Sequence, residues 1–408
     1  MEPVTAPPTD QLTTRSHRRA IAGAFAVQGL LFISLTLRLP QLKALFELSE
    51  LELAALMLLL VVLAGVGSVA AELLARRRDS ALALRVALGL VAVGAVVIGQ
   101  AARGDGSLPL LVTGMAVYGL GLGANDASAN TQAVAVEHRL GRPVMPSFHA
   151  AWTAGGLAAT LGAITLPDVS IPAGSLALSV LPLALLASPF VRRDHGAPTA
   201  VPDPDAVGVR WRIVWLVGLG LVVFYAVDTA VTAWGPIYLS SDDVFTAPPT
   251  SPAMYALATL PYLAAVLLAR VVGDAATARF GAPTVVRVGA LTAFLGLAVV
   301  VFAPASSWPV AVLGFFVVGL GVAAIAPLAF SAAARVAGEG ADPALHRARV
   351  DAVVARFNQF NYAGALIGSV LTGALGSTSL RVGFAVPMVL VLALVPLARH
   401  FTSVGSLD

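Results

Sequence analysis

Cysteine is absent from all 408 residues, and charge is scarce: Asp, Glu, Lys and Arg together make up 12% of the chain. The first absence removes disulfides, thiolate metal sites and cysteine nucleophiles. The second argues against intrinsic disorder and nucleic-acid binding as main themes, because both depend on dense charge. Histidine is thin as well: of His17, His138, His149, His195, His346 and His400, no two stand close enough to suggest a metal pair. The glycine-rich run from Gly119 to Gly123 lies inside apolar sequence and lacks the Lys-Ser/Thr pair that follows a phosphate-binding loop. No cofactor and no nucleic-acid partner are expected.

What is present is hydrophobic. Apolar residues account for 58% of the chain, and the mean hydropathy is +0.87. Soluble domains hold about 45–50% apolar residues. A helix needs about 20 mostly apolar residues to cross the hydrocarbon of a bilayer. Twelve such runs are legible, near 19–39, 50–74, 81–101, 109–135, 144–166, 172–191, 212–239, 252–272, 284–304, 308–334, 352–375 and 380–399. The expected fold is an all-α membrane protein of twelve transmembrane helices in two six-helix halves, 19–191 and 212–399. A polar, Pro-rich stretch over 1–18 predicts a disordered tail, 192–211 a linker rich in Pro and charge, and 400–408 a short second tail. No cleavable signal peptide is evident, and the first apolar run is long enough to act as an uncleaved anchor.

Basic residues give the orientation, since they concentrate in cytoplasmic loops. With the N-terminus inside, 21 of the 25 Lys and Arg residues fall on the cytoplasmic side. The other 4, Arg38, Lys43, Arg103 and Arg381, fall outside. Both termini are therefore expected in the cytoplasm, with the protein spanning the plasma (inner) membrane many times. The same asymmetry accounts for a pI of 9.6 without invoking nucleic acid.

The chain also repeats itself. Gly114, Gly119, Leu120 and Gly121 recur as Gly314, Gly319, Leu320 and Gly321, an offset of 200. Phe25-Ala26-Val27-Gln28 matches Tyr225-Ala226-Val227-Asp228 at the same offset. Phe148, His149, Trp152, Ala154, Gly155 and Leu157 match Phe357, Asn358, Asn361, Ala363, Gly364 and Leu366 at an offset of 209. Three matches in one order predict two halves in parallel orientation. Transporters of this design carry their site near the midplane, between the halves.

Twelve spans in two sixes suggest the major facilitator superfamily. The segment from Gly119 to Ala163 resembles its rhizopine-transporter-like (MosC-like) branch, which joins a Gly-rich fourth helix to Asp126, Asn130, Glu137, Gly141-Arg142-Pro143, His149 and Trp152. Arg38-x-Pro40 at the end of the first helix, and Asp228 six residues before Trp234 in the seventh, fit the same pattern; the branch commonly has Glu at the Asp228 position. The superfamily's cytoplasmic loop motif is degenerate here. Gly67 and Arg76-Arg77-Arg78 represent it in the first half, and Gly273, Asp274, Arg279 and Gly281 in the second. The resemblance implies a secondary transporter, with the first and seventh helices lining the transport pathway.

An ionisable side chain inside hydrocarbon is costly and is a functional candidate by default. Asp126 and Asp228 are the acids well within a span, and His149 is the histidine there. Asp228 lies about 24 Å along its helix from Arg212. It is a candidate for binding substrate and accepting a proton, or alternatively a packing acid held by a neighbour's hydroxyl or amide. Gln28 is its repeat counterpart. Asp126 and Asn130 share one face of the fourth helix. Residue counting around Leu140 places Asn130 and His149 at similar depth, with Asn125 and Gln132 adding polarity. A gate and a hydrogen-bonded clasp between helices are equal readings of that cluster. Asn358 and Asn361 are expected opposite it. Arg38 either snorkels or guides an anionic group. Trp234 and Tyr238 read as interfacial belt or as stacking residues, and Trp152 is the better stacking candidate. Arg76, Arg77 and Arg78 read most simply as topology determinants.

The expected function is secondary transport of a small polar organic solute by alternating access, coupled to protons, with the lipid bilayer and the solute as partners and a monomer as the working unit. A sugar- or polyol-like solute follows from the rhizopine-type resemblance alone. The alternative is efflux of a drug or secondary metabolite, against which stands the absence of the antiporters' Gly-Pro motif from the fifth helix. A membrane-embedded enzyme would show paired catalytic residues at one depth, and only Asp126 with His149 comes near. A receptor or scaffold would carry a soluble domain.

Overall fold

The computed structural model of the protein describes residues 8–140, 144–192, 209–338 and 343–401. Among these residues there is no strand. The helices run in chain order as α1 (Pro8–Leu45), α2 (Glu50–Arg77), α3 (Ser80–Ala101), α4 (Leu108–Leu140), α5 (Met145–Thr165) and α6 (Ile171–Leu185). After the linker come α7 (Trp211–Leu239), α8 (Pro252–Phe280), α9 (Ala282–Val301), α10 (Trp308–Ala337), α11 (Pro343–Gly376) and α12 (Leu380–Phe401). Each of the twelve expected spans is thus a helix. Among the described residues, nine helices are long and apolar enough to cross a bilayer: α1 to α4, α7 to α10 and α12. The other three have visible reasons to fall short. α6 is apolar but has only 15 residues, α5 carries His149, and α11 carries Gln359 and Asn361.

The chain divides into two compact units, one of 1–34, 59–159 and 168–197, the other of 35–58, 160–167 and 198–408. Within the first unit α3 lies along α4. The contact is close because glycine permits it: a Cβ on Gly114 would stand 2.7 Å from Ile98 N, and one on Gly121 2.6 Å from Val91 N. Within the second unit α9 lies along α10 in the same way, and a Cβ on Gly296 would stand 2.6 Å from Val318 N. The pairing of α1 with α5 through Gly155 and the Ala26 carbonyl recurs between α7 and α11 with a shift of one turn: Gly364, the repeat counterpart of Gly155, meets the Val222 carbonyl, and Gly368 meets the Ala226 carbonyl. Lipid tails give helices no hydrophobic reason to associate, so small residues that admit backbone contact supply the packing. The sequence repeat is a repeat of these contacts.

Three local departures from regular helix matter below. In α7 a π turn spans Ala230–Trp234. Pro236 explains it, because its ring and missing N–H are incompatible with a regular bond to the Thr232 carbonyl. In α10 the helix is interrupted at Ala323 and Ala324, between Val322 and Ile325. Between α8 and α9 the chain turns through Gly281 at φ +78°, a conformation that any side chain would strain. That turn explains the last glycine of the second cytoplasmic-loop motif.

Candidate functional site: a carboxyl–phenol pair beside a π turn

Beyond Arg212 at its start, the sequence of α7 is apolar except for Asp228, the threonines that follow it and the tyrosines Tyr225 and Tyr238. From Gly220 to Leu239 the helix is buried all round, save at Tyr225 and Asp228, which share one face. Asp228 therefore stands at the one half-open stripe of an otherwise enclosed helix. Its Oδ1 accepts a hydrogen bond from the Tyr262 hydroxyl of α8 at 2.5 Å. Tyr262 itself is fully buried. One turn earlier on α8, the Thr259 hydroxyl is also fully buried and has no hydrogen-bond partner among the described residues. Two turns later, Arg270 comes within electrostatic reach of Asp228. Its Nε donates a long bond of 3.5 Å to the Ala323 carbonyl, at the interruption in α10. On the C-terminal side of Asp228 the π turn begins two residues on, and the Thr232 hydroxyl donates to the Asp228 carbonyl at 2.7 Å. The arrangement holds one carboxyl between a neutral donor and a nearby cation, next to two backbone irregularities. Such irregularities recur at functional sites, since they bend helices and free carbonyls.

Tyr262, Thr259 and Arg270 were not legible as members of this cluster. Tyr262 and Thr259 sit in an apolar run at i, i+3 spacing, which is also what a packing face looks like. Arg270 reads as one more cytoplasmic base, but it closes the apolar window Ala253–Arg270 within the longer helix α8.

The first unit has its own polar centre. Gln28, the repeat counterpart of Asp228, accepts a 2.8 Å bond from Asn125 Nδ2, and both side chains are buried. The Asn125 Oδ1 and the Ser128 hydroxyl are buried without hydrogen-bond partners among the described residues. Asn130 donates within its own helix, to the Asp126 carbonyl at 2.9 Å and to its carboxyl at 3.4 Å. The His149 ring packs edge-on against Phe25, with centroids 5.4 Å apart. Trp152 lies 6.4 Å from Phe32, and its carbonyl is what a Cβ on Gly29 would strike.

Other sequence candidates settle into packing and capping. Trp234 is fully enclosed and donates to the Ser369 carbonyl at 2.9 Å. Tyr238 is equally enclosed and donates to the Val300 carbonyl at 2.6 Å. Both rings are enclosed by protein. Gln132 is a clasp: fully buried, it donates to the Ser80 hydroxyl and the Val191 carbonyl and accepts from the Val191 N–H, each at 2.8 Å. Glu137 caps α5, taking the N–H groups of Val144 and Met145 at 2.7 and 3.0 Å. Asp79 caps α3 through Leu82 N at 2.6 Å. Arg38 donates to Gln41 at 2.8 Å. Arg76 is exposed and lies 3.9 Å from the half-buried Glu72, whereas Arg77 and Arg78 end α2 in the open. Arg279 lies over the ring of Phe280. Asn361 is half-buried on α11 in the second unit. Gly141-Arg142-Pro143 and the side chains of Asn358 and Asp274 lie outside the described residues.

No family model matches the chain. It is 29% identical over 320 residues to an uncharacterised transporter of Sinorhizobium fredii, a match covering 78% of this chain and 82% of that one. An uncharacterised MFS-type transporter of Yersinia pestis is 28% identical over 311 residues, covering 72% of this chain and 76% of the relative. Among solved structures, the nucleoside transporter NupG superposes with a TM-score of 0.67 at 14% identity, covering 95% of this chain and 98% of its own. FucP, a major facilitator superfamily transporter in an outward conformation, gives 0.61 at 16%, covering 94% and 98%. The chain thus has the fold of the major facilitator superfamily transporters, and the relatives it resembles in sequence are themselves described as transporters.

Proposed function

We propose that this transporter carries a small, hydroxylated organic solute of the sugar or polyol class by alternating access, coupled to protons. The observation that carries the reading is Asp228: a carboxyl on a membrane-spanning helix, half-open, and held by a phenol at 2.5 Å. A carboxyl in that setting tolerates both protonation states, as the phenol donates to the charged form and the accessible edge admits the proton. Asp228 is the proton acceptor in this scheme. The Gln28–Asn125 amide pair suits recognition of hydroxyls, because amides both donate and accept. Asp126, Asn130 and His149 serve as a gate, and Trp152, Asn358 and Asn361 as further contacts with the solute.

Two neighbours favour this class of solute. One is a nucleoside transporter and the other a fucose:proton symporter of E. coli, and nucleosides and fucose are both rich in hydroxyls. The MosC-like signature on α4 and α5 supports the same class. The 21-to-4 distribution of basic residues supports cytoplasmic termini, a cytoplasmic 192–211 linker and residence in the plasma membrane. The two halves, 19–191 and 212–399, act as the moving bodies of a monomer.

The test is uptake of labelled sugars, polyols and nucleosides into proteoliposomes, with and without an imposed pH gradient. Accumulation of at least one solute is expected to require the gradient. Asp228→Asn should abolish that accumulation while leaving solute exchange measurable, because exchange needs no net proton movement. Gradient-driven accumulation by the Asn variant would sink the assignment of Asp228.

A further inference from the structure

At the arginine-rich end of the first unit lies a cavity of about 420 Å³ that the transport reading does not use. Its walls carry His17 at the start of α1, Arg85 of α3, Arg139 at the end of α4, and Arg192 after α6. No acidic side chain lines it among the described residues. The acid nearest Arg139 in sequence, Glu137, is committed to the first turn of α5. The cavity also sits at a definite depth. Arg139 lies just beyond the apolar span Leu108–Glu137, and His17 near the start of the span Thr14–Leu45. In a bilayer the ends of these two spans would meet the headgroup layer.

Two of the basic groups are held in place. Arg85 donates through Nε to the Leu186 carbonyl at 2.9 Å and through Nη2 to the Ser188 carbonyl at 3.1 Å. It also lies over the ring of Phe190, with its guanidinium carbon 5.3 Å from the centroid. These contacts neutralise the carbonyls at the end of α6 and use two of the five guanidinium N–H groups, leaving three for a ligand. His17 is buried, and its Nδ1 lies 3.4 Å from Arg139 Nη1. Topology alone asks that basic residues stand on this side of the membrane. It does not ask that three arginines and a buried histidine converge on one hollow.

We propose that this cavity is a binding site for a phosphate-bearing anion, and that its occupant is the headgroup of an anionic phospholipid from the leaflet at the arginine-rich end. A phosphodiester offers the acceptor oxygens that fixed guanidiniums match, and basic pockets at helix ends are suited to such headgroups. Orienting the lipid would brace α1, α3, α4 and α6 against one another at this end.

The experiment compares the purified full-length protein in mixed micelles with phosphatidylglycerol, phosphatidylcholine or inorganic phosphate, reading thermal unfolding and bound lipid by native mass spectrometry. Phosphatidylglycerol is expected to raise the melting temperature by several degrees over phosphatidylcholine, with one lipid retained in the mass spectrum. Arg139→Gln with Arg192→Gln should weaken retention about fivefold for each guanidinium removed. Arg77→Gln with Arg78→Gln removes the same charge elsewhere at this end and should leave retention unchanged. Equal loss in both double variants would overturn the proposal in favour of diffuse surface charge. Inorganic phosphate matching phosphatidylglycerol would overturn the lipid as occupant. No difference between the two lipids would overturn the site.

Discussion

Tyr262→Phe is the sharpest perturbation the site offers, because it deletes one hydroxyl and keeps the ring that fills the space. The deleted group donates to Asp228 at 2.5 Å, in surroundings where Tyr262 is wholly enclosed. Hydrogen bonds to charged groups contribute about 1.5–3 kcal/mol, against about 0.5–1.5 for neutral pairs. If the carboxylate is the working form at some step of the cycle, the variant should slow that step by about 10- to 100-fold. The effect should belong to the pair. Combined with Asp228→Asn, where the partner is neutral, the same substitution should cost about 2- to 12-fold, a smaller factor than with the carboxylate present. Asp228→Asn is expected to lose uphill accumulation, so the cycle is read from initial rates of solute exchange in proteoliposomes, where all four proteins remain measurable. A loss of the same factor in both backgrounds would mean that Tyr262 acts independently of Asp228. The carboxyl–phenol bond would then be a packing detail, and the coupling role would pass to Asp126 or His149.

Further expectations concern topology, packing and the gate. Cysteines placed at Ser16, Thr199 and Ser403 in this cysteine-free chain should resist membrane-impermeant thiol reagents in intact cells, and rapid labelling at any of them would reverse the orientation. Gln132→Leu strands the N–H and carbonyl of Val191 and should destabilise the protein by at least about 2 kcal/mol, at about 1–3 kcal/mol for each buried polar group left unpaired. Its melting temperature should fall while exchange at low temperature survives. His149→Ala should slow exchange more than it lowers the melting temperature; a fall in melting temperature with unchanged exchange would make the ring on Phe25 a packing contact. Asp228→Glu should keep gradient-driven accumulation better than Asp228→Asn, and equal loss in the two would argue that position rather than titration matters there.

Much of this protein was legible in its sequence because the bilayer imposes rules on composition alone. A segment that crosses hydrocarbon must satisfy its own backbone and so must be a long apolar helix, which is why each of the twelve runs coincides with a helix, although α1, α8 and α11 extend beyond the expected runs, α1 from Pro8, α8 to Phe280 and α11 from Pro343. The repeat was legible for a related reason: helices in lipid associate through small residues, and Gly114 and Gly121 recur as Gly314 and Gly321 where α4 meets α3 and α10 meets α9. An acid such as Asp228 stands out in that background because it is costly there. What the acid touches was decided only in three dimensions. Tyr262 is 34 residues away on another helix, and nothing in an apolar run marks one tyrosine as a carboxylate's partner. The same holds for Gln132, whose cluster reads equally as gate or clasp and whose partners, Ser80 and Val191, only the fold supplies, and for Trp234, which reads as a belt or stacking residue and donates to the Ser369 carbonyl. Hydrophobicity is a property each residue carries along the chain. A hydrogen bond between helices depends on which faces the fold turns toward each other, and in this protein that is set by glycine contacts, a proline-induced π turn and a break in α10.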